Sequence, residues 1–66
     1  MKITLNGEAR EIASGATVAD LVRSLGLATG RVAAEVNGDI VRRADHAAAV
    51  LRAGDVVELV QMIGGG

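Results

Sequence analysis

Gly64-Gly65-Gly66 close the chain, and what they offer chemically is a bare carboxylate. A terminal carboxyl, with an ordinary pKa of about 3.3–3.7, is ionised at neutral pH. With no Cβ beside it on Gly66, its carbon is sterically open. Its oxygen can attack the α-phosphate of ATP to give an acyl-adenylate, an activated carbonyl that a sulfur nucleophile can displace. Gly64 and Gly65 suit the same use, because a segment without side chains can thread a narrow channel in a partner. Glycine costs the most entropy to order and adds no burial, so the tail does nothing for the fold and is expected to be flexible. Ordering three residues costs roughly 3–6 kcal/mol of backbone entropy. Only a partner that grips the tail and the strand before it could offset that. The competing reading is an idle, frayed end.

The other reactive side chains are few. His46 lacks a Ser, Cys or metal-ligand companion in sequence and reads as a polar loop residue rather than a general base. Arg42-Arg43 reads as a solvated strand end, with contact to phosphate or an acidic partner as the alternative. Ser14 and Ser24 read as a loop and a helix polar residue. Lys2 is the only lysine, so one side-chain amine is available to ubiquitin-type chain formation. No Cys is present, which removes disulfides, zinc ribbons, thiol nucleophiles and iron–sulfur ligation. No metal site and no acid–base constellation can be assembled, so an enzyme in its own right is the least supported class.

Sixty-six residues make one small domain. Half are hydrophobic and 23% charged, which excludes a disordered segment. The apolar residues include no aromatic, so the core is built from Val, Leu, Ile, Ala and Met. Such a chain buries only about 60% of its unfolded surface. The net charge of −1, without a basic stripe or stacking platform, argues against nucleic acid. No apolar run approaches the roughly 18 residues of a membrane span. The N-terminus has no signal-peptide core, and a cytoplasmic location is expected.

Positioning the tail falls to the elements before it. Lys2-Ile3-Thr4-Leu5 alternates, and Asn6-Gly7 is a strong hairpin signal into a strand over Glu8–Ile12. Val18, Leu21, Val22 and Leu25 make an apolar stripe at helical period. Thr17 and Asp20 offer a capping box, and Gly26 a stop. Val32, Ala34 and Val36 read as a strand, Asn37-Gly38 as a second hairpin turn, and Asp39-Ile40-Val41 as its partner strand. Asp45 is placed to cap one helical turn through Ala47-Ala48-Ala49. Val56–Ile63 is the longest strand candidate, with Val57, Leu59 and Ile63 on one face and Val56, Glu58, Val60 and Met62 on the other. Both faces are largely apolar, so the second exposes Val60 and Met62, either as ordinary exposed surface or as a docking patch beside the tail. The order β-β-α-β-β-β predicts an α+β domain with one sheet over one helix.

This chain resembles the ThiS family, the small sulfur carriers of thiamine thiazole biosynthesis. The resemblance runs over the whole length: the Asn6-Gly7 hairpin, Thr17-Val18-x-x-Leu21-Val22, Ala34-x-Val36-Asn37-Gly38-x-Ile40-Val41, Arg43, Gly54-Asp55, and the hydrophobic strand into Gly65-Gly66. It implies a β-grasp, ubiquitin-like fold over residues 1–63, a mixed sheet of four to five strands on one helix, with first and last strands parallel at its centre and 64–66 as a flexible tail. It further implies that a ThiF-like, E1-related enzyme adenylates Gly66 with ATP and Mg²⁺, no cofactor being bound by the chain itself. A cysteine desulfurase supplies the sulfur of the resulting thiocarboxylate, and a ThiG-like thiazole synthase receives it. Gly64 and Gly65 thread into the partner, and Glu58, Val60, Met62 and Ile63 meet it. Two positions depart from the family pattern. Arg42 stands where Pro is frequent before the Arg, and His46 where an aromatic residue is frequent. Sulfur carriage for molybdopterin or tRNA thiolation, ubiquitin-like conjugation to lysines, and a binding module without chemistry stay open as alternatives.

Overall fold

Asn6-Gly7 and Asn37-Gly38 each hold two consecutive residues at positive φ, +49° and +85° in the first pair, +53° and +88° in the second. This is type I′ geometry, which matches strand twist and favours Asn followed by Gly. The first turn joins β1 (Lys2–Leu5) to β2 (Glu8–Glu11), and the second joins β3 (Val32–Val36) to β4 (Asp39–Val41), both antiparallel. The computed structural model describes residues 1–62. Within them β5 (Val56–Gln61) lies between the hairpins, giving the order β2-β1-β5-β3-β4. It runs parallel to β1, with Thr4 opposite Val56, and antiparallel to β3, with Val32 opposite Gln61. The five-stranded mixed sheet with one helix is the β-grasp arrangement that the resemblance implies. Strand β5 ends at Gln61, and the expected continuation to Ile63 lies outside the described residues.

The helix α1 (Val18–Ser24) is too short to stand on propensity. Its ends are fully tied. Thr17 N–H donates to Asp20 Oδ2 at 3.0 Å, and Asp20 N–H donates to Thr17 Oγ1 at 3.1 Å, a reciprocal capping box. The intervening N–H groups of Val18 and Ala19 donate to the carbonyls of Ala49 and His46, each at 3.0 Å. All four free donors of the helix start are thereby satisfied. At the far end Gly26 N–H bonds Arg23 O and Leu27 N–H bonds Val22 O, the paired bonds of a Schellman stop. The helix buries Val18, Ala19, Leu21 and Val22 against Ile3, Leu5, Val32, Ala34, Leu51, Val57 and Leu59.

Two sequence expectations need correction. His46 lies in a turn as expected, but it is not an ordinary solvated residue: it is only 2% exposed, the buried polar side chain among the described residues. Its Nε2 lies 3.1 Å from Val41 O, while Nδ1 has no partner. The cause is long-range, because docking its own carbonyl onto the helix N-terminus draws the segment inward. Asp45 does not cap with its side chain either. A 3-10 turn starts earlier, at Arg43–Asp45, and the Asp45 carbonyl accepts from Ala48 and Ala49 while its carboxylate meets exposed Arg42 at 3.7 Å.

Candidate functional site

Strand β5 is the element that leads to the terminal glycines, and both Asn-Gly turns hold it by side chain as well as by backbone. Asn6 Oδ1 accepts from Leu59 N–H at 2.9 Å, and its Nδ2 donates to Leu59 O at 3.3 Å. The amide thus continues the ladder on that side where β1 has ended. At the start of the strand, Asn37 Oδ1 accepts from Val56 N–H at 2.9 Å and its Nδ2 donates to Asp55 Oδ1 at 3.0 Å. The second carboxylate oxygen of Asp55 accepts from Arg52 N–H at 2.8 Å, which closes the Gly54 turn. Met62 N–H donates to Arg31 O at 2.7 Å, so pairing with the β3 side continues through residue 62.

The face of β5 away from the helix carries the expected partner residues. Val57 and Leu59 point into the core, and Val56, Glu58 and Val60 point outward. Val60 is 63% and Met62 51% exposed. Glu58, Val60 and Met62 therefore share one surface, as expected. Ile63, Gly64, Gly65 and Gly66, the remaining expected site residues, lie outside the described residues.

Register adds residues that the linear pattern missed. Glu35 on β3 stands opposite Glu58, and Ile40 on β4 stands opposite Glu35. Ala33 stands opposite Val60. Ile40 is 77% exposed, the most exposed large apolar side chain among the described residues. Ala33, Glu35, Ile40, Glu58 and Val60 line a shallow groove on this face, and Met62 lines an adjoining hollow with Arg42 and Arg43. The alternation of β3 and β4 was visible in sequence, but only the observed register brings Ile40 and Glu35 beside Glu58.

No group of three or more His, Asp or Glu residues among those described is arranged to hold a metal ion. No helix among the described residues is long and apolar enough to cross a membrane.

A β-grasp sheet whose central strand carries an exposed apolar face and runs on toward a glycine-rich end defines the ubiquitin-like class. Within that class the ThiS family profile matches residues 3–66, and the chain belongs to the ThiS family. The crystal structure of the thiamine biosynthesis protein ThiS from Geobacter metallireducens superposes with a TM-score of 0.83 at 32% identity, each chain covered in full. A solution structure of a thiamine biosynthesis protein from the same organism gives 0.82 at 32% identity, covering all of this chain and 88% of that one. The chain is also 44% identical over 66 residues to a thiazole synthase of Magnetococcus marinus, and 39% identical to one of Paramagnetospirillum magneticum. All of this chain is matched in both cases, and it spans only 20% of each synthase's length.

Proposed function

We propose that the chain is a sulfur carrier for thiazole formation, a protein cosubstrate rather than an enzyme. The observation that carries this reading is a firmly clamped central strand, held at Leu59 by Asn6, that leads directly toward Gly64-Gly65-Gly66 in a chain of the ThiS family. In this reading the Gly66 carboxylate oxygen attacks the α-phosphorus of ATP on a ThiF-like, E1-related enzyme that uses Mg²⁺, and pyrophosphate leaves. The outer sulfur of a persulfide charged by a cysteine desulfurase displaces AMP to give an acyl disulfide, and a thiol then cleaves its S–S bond, leaving the thiocarboxylate and a disulfide. Gly64 and Gly65 pass into the partner's channel, and Glu58, Val60, Met62 and Ile63 meet its surface.

The receiving partner is a thiazole synthase. Two relatives so named contain a segment matching this whole chain, which supports carrier and synthase working together.

The test incubates the chain with its activating enzyme, ATP, Mg²⁺ and a sulfur donor, and reads the intact mass. Replacement of one terminal oxygen by sulfur is expected, and loss of that product on deletion of Gly65-Gly66. Absence of the product with a competent activating enzyme, or activity retained after the deletion, overturns the reading.

A further inference from the structure

Glu35 and Glu58 are directly opposed across β3 and β5 on the open face. Like charges in that relation destabilise a sheet, since the side chains of opposed residues are neighbours. Neither carboxylate belongs to an ion pair among the described residues. The ion pairs among the described residues are Met1 with Glu11, Arg23 with Asp20, and Arg42 with Asp45. Arg42 and Arg43 border the same face, but beside Met62 and Ile40, and Arg42 is turned to Asp45. The carboxylates line a groove together with the small Ala33 and the apolar Ile40 and Val60. An acidic pair set among exposed apolar side chains is costly to the free domain and complementary to a cation that brings an apolar surface with it.

We propose that Glu35 and Glu58 together receive one arginine side chain of the thiazole synthase, seated between Ile40 and Val60. This rests on the carrier reading and assigns the residues by which the synthase docks. A guanidinium presents its donors in a planar fork that can serve two carboxylates at once, and its flat face packs against apolar side chains. The synthase is the occupant because relatives of that name contain this domain within the same chain, which holds the two surfaces within reach of each other. Ala33 leaves room for the incoming side chain, where a larger residue at that position would fill the groove.

The experiment measures binding of the full chain to the thiazole synthase of the same organism, at low and high salt, alongside thermal midpoints. Glu35→Gln and Glu58→Gln are each expected to weaken binding roughly tenfold and to flatten its salt dependence. Each is also expected to raise the thermal midpoint, because the like-charge opposition is gone. Weaker binding with a raised midpoint separates docking from a structural role. Unchanged binding overturns the proposal. So does a loss that tracks a lowered midpoint, a loss confined to the activating enzyme, or failure of the unaltered chain to bind the synthase. Formation of the thiocarboxylate is read separately by mass, so loss of binding in either variant leaves the carrier reading standing, and only failure of the unaltered chain to bind bears on the synthase as receiver.

Discussion

The side chain of Asn6 holds both backbone groups of Leu59, 53 positions further along the chain, at 2.9 and 3.3 Å. A residue required by the first hairpin turn, at φ +49°, thereby fixes the strand that carries the terminal segment. One asparagine serves two ends: its backbone makes the turn, and its carboxamide takes the place of a strand residue that β1 no longer supplies.

Separating these roles is direct. Asn6→Gly keeps the left-handed conformation and removes the clamp, and is expected to cost about 1–2 kcal/mol. Asn6→Ala loses both and is expected to cost more, since Ala at positive φ is strained. Urea unfolding gives the energies, and hydrogen exchange at the Leu59 amide gives the location. Unaltered protection of that amide in Asn6→Gly would show that the clamp does not hold the strand.

The capping box carries a pH signature. The Asp20 carboxyl titrates below its ordinary value of 3.8, chiefly because it accepts the Thr17 backbone N–H, with the Thr17 side chain and Arg23 acting in the same direction. A carboxylate with a depressed folded-state pKa stabilises fully above its unfolded value and loses that contribution as pH falls through the folded one. Asp20→Asn is therefore expected to be less stable than the unaltered chain at neutral pH, with the difference closing as pH drops below 3.8. Thermal midpoints of the pair across pH 2 to 7 check this. A difference constant across that range would remove the charge from the explanation. Thr17→Ala, which deletes the hydroxyl half of the box, is expected to cost about 1 kcal/mol at neutral pH.

His46 tests how the core manages without aromatic residues. At 2% exposure it fills volume beneath the segment docked on the helix, with Nε2 near Val41 O and Nδ1 unpartnered. His46→Ala opens a cavity and is expected to cost about 2–4 kcal/mol. His46→Leu comes close to the original volume and removes the unpartnered nitrogen, and is expected to cost less, although Val41 O loses its neighbour. Denaturant midpoints of the two variants decide between packing and hydrogen bonding: equal losses would mean the Val41 contact dominates.

The contrast between His46 and Asn6 shows what the sequence could reveal. Asn6-Gly7, Asn37-Gly38, the Thr17–Asp20 box and the stop at Gly26 are local devices, and each was legible because its cause lies within a few residues. The outward set Val56, Glu58 and Val60 was legible too, from period-two alternation. The parallel pairing of β1 with β5 is not in the periodicity and came from family resemblance alone. The burial of His46 is not legible locally, because it depends on a carbonyl reaching the N–H of Ala19, 27 positions earlier. Ile40 and Glu35 went unnoticed because they join Glu58 only through the register of three strands.

That register predicts which exposed apolar residues matter for docking. Ile40 and Val60 are exposed, so Ile40→Asp and Val60→Asp open no cavity, and each is expected to cost about 1 kcal/mol through lost strand preference and the added like charge. Each places a further carboxylate beside Glu35 and Glu58 and removes apolar area from the proposed contact, so synthase binding is expected to fall at least about tenfold. Val50 supplies the control. It is 56% exposed, pairs with Thr17 at the start of the helix, and is not among the residues that line the groove. Val50→Asp is expected to bind as the unaltered chain does. If all three substitutions weaken binding alike, the contact is not confined to the β3–β5 groove; if only Ile40→Asp and Val60→Asp do, the open face is the docking surface.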